Sequence, residues 1–282
     1  MAPIDHRVAL ITGATSGIGR AVAEALAAAG LTVAIVARDG PLGDATRRAI
    51  AERTGNDRVE LFEGDLSSLA SVRDAARAVR EAHPTLNILV HCAAVYTSRR
   101  SVTADGFETM LATNVLGPFL LTNLLLDRLQ AARSARILVL SAPSTVKLDF
   151  DDLQSERRFR SLTAFGATKA AGLVFTFELA RRLEGTGVTA NAVHPGLVRT
   201  NLMRGAPAPL RWATWLVSAP PHRAAAAISP LVLSPEYAGP SGRFFRRGKE
   251  IEPPPYTRDR DVARRLWDAS AALTNLSEGD QR

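Results

Sequence analysis

The residues of this 282-residue chain best suited to chemistry begin with Thr12-Gly-Ala-Thr-Ser-Gly-Ile-Gly19, which follows the apolar run Val8 to Thr12 and opens an alanine-rich stretch. A glycine-rich turn between strand and helix is suited to phosphate. Gly13 permits a tight exit from the strand, Gly17 lets backbone approach a pyrophosphate, and Gly19 allows close packing of helix on strand. Thr15, Ser16 and Ile18 complete the turn, and the helix that follows offers free N–H groups and the positive end of its dipole to an anion. The next apolar run ends Val36-Ala-Arg38-Asp39. At that place an acid accepts the ribose hydroxyls of NAD, whereas an arginine meets the 2′-phosphate of NADP with a planar fork. Arg38 points to NADP(H). Asp39 beside it leaves the NAD reading open, because the sequence does not set which side chain faces the ribose.

Such residues need a scaffold, and the chain alternates short β-branched runs with longer alanine- and leucine-rich stretches, the pattern of parallel strands joined by crossover helices. Strands are expected at Val8–Thr12, Thr32–Ala37, Val59–Glu63, Leu86–His91, Arg136–Ser141 and Val188–Val193, and a short one near Gly242–Phe245. Helices are expected at Gly17–Ala29, about Leu42–Arg53, Leu69–Ala82, Phe107–Thr113, Val115–Ala132, Ala164–Leu183 and about Asp259–Leu273. The fold class is therefore α/β: a Rossmann-type, doubly wound parallel sheet in three α/β/α layers, one domain over 1–282. The segment 201–222, with four prolines around Trp212 and Trp215, reads as an irregular cover over a site rather than a linker.

Composition excludes several classes. Hydrophobic residues at 46% and charged residues at 22% fit a globular domain and not a disordered chain. The single Cys92 allows no internal disulfide and no cysteine-based metal cluster, which suits a reducing cytoplasm. No metal site is expected, nor a signal peptide, nor a membrane span, since charged residues interrupt every apolar stretch. The net charge of +7 could attract nucleic acid. Arginines spread along the chain, with no aromatic-basic module, argue instead for a solvated face or for steering an anionic cofactor.

These residues in this order resemble the short-chain dehydrogenase/reductase family, from about Val8 to Leu273, and within it the retinol-dehydrogenase-like and protochlorophyllide-reductase-like branch. Gly64-Asp65-Leu66-Ser-Ser-Leu-Ala-Ser-Val-Arg73, Thr113-Asn-Val-Leu-Gly-Pro-Phe-Leu-Leu-Thr122 and His194-Pro-Gly196 carry the likeness. The resemblance implies that Asp65 and Leu66 hold the adenine edge, and that Pro195, Gly196, Val198 and Thr200 meet the nicotinamide carboxamide. It further implies that Lys169 binds the nicotinamide ribose, with Asn114 supporting it through a water in a proton relay. Bland alternatives stand beside these roles: Asp65 as a turn cap, Asn114 as a structural amide. The family also leaves a homo-oligomer open.

The departures carry as much meaning. The family's Tyr-x-x-x-Lys is Phe165-Gly-Ala-Thr-Lys169 here; the one-turn spacing survives, while the phenol that would shuttle the proton is missing. Asn-Asn-Ala-Gly becomes His91-Cys92-Ala93-Ala94, which removes an amide and adds a β-carbon beside the cofactor, and the catalytic serine aligns with Ala142. Ser141 and Ser144 are candidate substitutes for polarising a substrate oxygen, or turn serines. Tyr96 is a candidate substitute donor, or a pocket wall. Three functions fit: an NADP(H)-dependent reductase of a small lipophilic substrate that does without the tyrosine; non-redox chemistry such as cyclisation beneath Leu210, Trp212, Trp215 and Leu216; or cofactor binding without catalysis.

Overall fold

The computed structural model describes residues 6–199, 202 and 218–277. Four short apolar runs form the first strands and three longer stretches the helices between them, much as their patterns dictate: β1 (Val8–Thr12), α1 (Gly17–Ala28), β2 (Thr32–Ala37), α2 (Gly40–Thr54), β3 (Val59–Glu63), α3 (Leu69–Ala82) and β4 (Ile88–His91). Then come α4 (Thr109–Leu111), a π-helical turn at Ala112–Leu116, α5 (Gly117–Leu124), α6 (Leu126–Ala131), β5 (Ala135–Leu140), α7 (Ser161–Arg182) and β6 (Val188–His194). The chain ends with α8 (Pro221–Leu233), β7 (Phe244–Arg246), β8 (Lys249–Glu250) and α9 (Arg260–Leu273).

The strands lie in the order β3-β2-β1-β4-β5-β6-β7-β8. Seven run parallel, and β8 pairs antiparallel with β7 at the edge. Strand order reverses direction beside β1, between β1 and β4, which is where a doubly wound sheet opens a crevice at its carboxyl edge. Alternation along each strand divides the core: Ala9 and Ile11 of β1 face a layer with Val22, Leu26, Ile50 and Ile228, from α1, α2 and α8. Leu10 faces Val72, Phe119 and Phe175, from α3, α5 and α7. Trp267 of α9 stacks on Phe175, with centroids 6.1 Å apart, and meets Phe119 edge-on at 5.0 Å. The result is the single-domain, three-layer α/β/α architecture expected.

Several boundaries differ from the sequence pattern for local reasons. The helix expected from Phe107 starts at Thr109, because the Glu108 carboxylate accepts the N–H groups of Met110 and Leu111 at 3.0 and 2.8 Å and so fixes the cap. The long helix expected over 115–132 is broken by the π-turn and again at Leu125. Leu86 precedes its strand, with its N–H bonded to the carbonyl of Arg128, and α7 begins one turn before Ala164. Of the expected cover, Leu202 and 218–222 are described; Thr200, Leu210, Trp212, Trp215 and Leu216 lie outside the described residues.

Candidate active site

The glycine-rich turn leads from β1 into α1 with no room for side chains. A Cβ on Gly13 (φ +69°) would lie 2.7 Å from the Ala93 backbone, and one on Gly19 would lie 2.4 Å from the Gly13 carbonyl oxygen. The Ala93 N–H, in turn, donates to Thr12 Oγ1 at 3.2 Å, which joins the ends of β1 and β4. Ser16 holds the extended N-cap conformation, yet its side chain makes no capping hydrogen bond, and no acid lies in the first turn of α1. The first N–H groups of α1 are thus left without a side-chain acceptor, beside a turn that includes Thr15, Gly17 and Ile18. This is the arrangement that binds phosphate, and these residues fit a dinucleotide.

At the end of β2 the two candidate readers of the ribose separate. Asp39 is the N-cap of α2, its carboxylate accepting the Leu42 N–H at 2.9 Å. Arg38 is exposed and has no side-chain hydrogen bond or ion pair among the described residues. Asp65, after β3, accepts the Ser67 N–H and hydroxyl on one carboxylate oxygen, at 2.9 and 2.8 Å, so it does form a turn. Leu66 is buried, with its carbonyl so close to α5 that a Cβ on Gly117 would lie 2.4 Å away.

The candidate reaction centre is assembled from the carboxyl ends of β4 and β5 and from α7. Asn114, on the π-turn, accepts the Val95 N–H at 2.8 Å and donates to the Val95 carbonyl and to Thr168 Oγ1 at 3.0 and 3.2 Å. Its amide therefore clamps the loop after β4 to α7, one residue from Lys169. Thr168 donates to the Phe165 carbonyl at 2.8 Å, extending the clamp. A π-turn is rare and recurs at functional sites.

Lys169 Nζ lies 5.3 Å from the centroid of the Phe165 ring, and its one hydrogen bond among the described residues is a long 3.5 Å contact to the Leu140 carbonyl. Burial pushes its pKa down to about 8, with nearby Cys92 opposing weakly. Burial likewise pushes the Cys92 thiol up to about 12, so Cys92 is a neutral, unreactive floor. Ala94 is half-buried beside it. His91, beneath, bonds Thr122 Oγ1 at 2.8 Å and is held neutral by burial, its pKa pushed down to about 3.

Of the hydroxyls around Lys169, those of Ser141 and Tyr96 donate elsewhere. Ser141 is buried and donates to the Lys169 carbonyl at 2.5 Å. Ser144 Oγ accepts the Val146 N–H at 3.2 Å and lies against Gly166, which brings it beside Phe165. Tyr96 meets Phe165 edge-on at 5.6 Å, and its hydroxyl donates to Ser161 Oγ at 3.0 Å. Tyr96, Met110 and Ala164, with Val95, Phe159, Phe165 and Leu202, form an apolar wall. At the end of β6, Pro195 and Gly196 (φ +82°) turn the chain, and Val198 bridges to Ala219, so the two ends of the segment between them are pinned together. Among the described residues no cluster could hold a metal ion, and no helix is long and apolar enough to cross a membrane.

Sequence reasoning missed the partners that hold these groups in place. Thr12, Ser161 and Thr168 are short hydroxyl residues near named ones; only adjacency to Gly13 and Lys169, and for Ser161 a place one helical turn before Phe165, could have flagged them.

An uncapped helix start at the switch point of a doubly wound sheet is the arrangement of the Rossmann-type class of folds. Comparison makes this more specific. The short chain dehydrogenase family matches residues 7–210. Retinol dehydrogenase 13 of Homo sapiens is 38% identical, over 98% of this chain and 86% of its own length. The polyprenol dehydrogenase of Mus musculus is 37% identical, over 99% and 87% respectively. Among solved structures, the Pseudomonas aeruginosa RhlG/NADP active-site complex superposes with a TM-score of 0.70 at 26% identity, covering 87% of this chain and 95% of that one. The chain belongs to the short-chain dehydrogenase/reductase family of oxidoreductases, in its retinol-dehydrogenase-like branch.

Proposed function

We propose that this oxidoreductase is an NADP(H)-dependent reductase of a small lipophilic carbonyl or conjugated compound, and that it works without the family's tyrosine. One observation carries the cofactor reading: Asp39 is committed to capping α2, while the neighbouring Arg38 guanidinium is exposed and unpaired among the described residues. A free fork at the end of β2 recognises a 2′-phosphate. The complex of the Pseudomonas aeruginosa protein with NADP supports the same cofactor. The apolar wall of Tyr96, Phe159 and Phe165 supports a lipophilic substrate, as do relatives named for retinol and polyprenol.

Bound NADPH supplies the hydride. The chain's own residues bind and orient: the α1 start and Arg38 take phosphates, Lys169 takes the ribose, Pro195, Gly196 and Val198 take the carboxamide, and Asn114 fixes the loop that carries Cys92, Ala93 and Ala94. Calorimetry with NADPH and NADH, followed by NADPH oxidation with a panel of lipophilic aldehydes, ketones and enones, tests this. Arg38→Ala is expected to weaken NADPH binding about 10- to 100-fold, the worth of a charge-assisted hydrogen bond of roughly 1.5–3 kcal/mol, and to leave NADH binding nearly unchanged. Equal losses for both cofactors would refute the assignment of Arg38. Substrate conversion that persists in protein stripped of NADPH would favour non-redox chemistry, and binding without turnover a non-catalytic role.

A further inference from the structure

We propose that the ammonium of Lys169 is the proton donor of this site, taking over the work of the phenol that Phe165 lacks; this rests on the reductase reading above. The chain has three tyrosines, and each hydroxyl already donates elsewhere. Tyr96 donates to Ser161, Tyr237 to the Gly248 carbonyl at 3.1 Å, and Tyr256 to the Val146 carbonyl. Burial also pushes the Tyr256 phenol up to about 12, which makes it a weaker acid. The Ser141 hydroxyl is held by the Lys169 carbonyl. His91 bonds Thr122, and burial keeps it and His194 neutral.

Ser144 Oγ accepts the Val146 N–H and keeps its own proton, but an aliphatic hydroxyl is far too weak an acid to give that proton up near neutrality, and what remains is Lys169. It sits one helical turn from Phe165, over that ring, and its only partner among the described residues is a distant carbonyl. The groups that face it are the Phe165 ring from α7, the Leu140 carbonyl at the end of β5, and Cys92 from the end of β4. Of these only Cys92 titrates, and it stays a neutral thiol until about pH 12. Burial lowers the lysine pKa to about 8, close to the value at which a general acid is both protonated and willing to give its proton near neutrality. An unshifted lysine would hold it too tightly.

The step balances as follows. A hydride, which bound NADPH would supply, adds to the carbonyl carbon and forms the C–H bond. The C=O π pair moves to oxygen, which takes a proton from the Lys169 ammonium and becomes a hydroxyl. The two electrons would come with the hydride that bound NADPH would supply, leaving it as NADP⁺, and the neutral Lys169 amine regains its proton from water.

Lys147, Lys169 and Lys249 are the only lysines, and Lys147 and Lys249 are exposed, so the protein labelled with 13C-lysine gives three side-chain titrations, with Lys169→Arg assigning the third. The NMR pKa of Lys169 in the NADPH complex is compared with the pH profile of single-turnover NADPH oxidation by a lipophilic aldehyde. Lys169 is expected to titrate near pH 8, and the rate to fall tenfold per pH unit above that same value. In Lys169→Arg the limb moves to higher pH or vanishes, and in Lys169→Met the rate with saturating NADPH drops about 10²-fold or more. Tyr96→Phe is expected to keep the limb where it was. A limb that does not follow the Lys169 titration, or that disappears in Tyr96→Phe, overturns the proposal while leaving the reductase reading intact. Absence of NADPH oxidation with NADPH bound and every substrate class tried overturns the reductase reading, and the donor role with it.

Discussion

Phe165 differs from the family's residue by one oxygen, yet that oxygen is the acid, and the lysine and asparagine beside it stand where they would serve it even though Ala142 and His91-Cys92-Ala93-Ala94 depart from the family. Lys169 is one turn away with its ammonium over the ring, and the Asn114–Thr168 clamp holds the Phe165 carbonyl in place. Restoring the phenol places it beside a cation that stabilises phenolate and lowers its pKa. Phe165→Tyr is therefore expected to raise kcat for ketone reduction at pH 7, by at least tenfold and within the roughly 10²–10⁴-fold range of general acid catalysis. Steady-state rates with saturating NADPH check it. No gain would mean that the substrate carbonyl does not come to rest over residue 165, and would weaken every role assigned to this centre.

At the scale of the element, α1 pits stability against function. Ser16 has the extended backbone of an N-cap but leaves the helix start uncapped. Ser16→Asp would let a carboxylate accept those N–H groups and meet the dipole, stabilising the protein by about 1 kcal/mol. The same charge would face the phosphates of the dinucleotide. Tm is expected to rise while NADPH affinity falls by tenfold or more, as read by thermal denaturation and calorimetry. A variant that gained both would show that α1 does not receive the phosphates. The turn was legible in the sequence because its glycines are dictated by backbone contacts, such as that between Gly19 and the Gly13 carbonyl, and the β1–α1–β2 unit because its periodicity is local. The π-turn that carries Asn114 was not legible. Its pattern reads as ordinary helix, and the residue earns its place through Val95 and Thr168, which are distant in sequence. Nor could the sequence tell that Asp39 caps α2 and leaves Arg38 exposed, since that follows from where α2 begins.

For the molecule as a whole, the strand ends that build the site also bury groups that prefer water when charged, and acid exposes this cost. His91 stands where the family has asparagine, fully inside the sheet's α5-side layer, with burial holding its pKa at about 3. In the unfolded chain it titrates at its ordinary value, near 6.5. Between those two values the unfolded state binds a proton that the folded state refuses, so stability declines as pH falls. Above about pH 6.5 the neutral ring costs nothing by this route and its stabilising contact with Thr122 is intact. Through the window from 6.5 toward 3, this single group removes up to about 1.4 kcal/mol per pH unit. His194, also lowered by burial, acts in the same direction. Urea denaturation of the wild type and of His91→Asn at pH 7 and pH 4.5 isolates the effect. The variant is expected to lose less stability between the two pH values, by roughly 2 kcal/mol, whatever its stability at pH 7, because carboxylates and His194 contribute equally to both proteins. Equal losses would mean that His91 takes up its proton in the folded state, by opening the end of β4, and that the floor of the site is far less rigid than its hydrogen bonds imply.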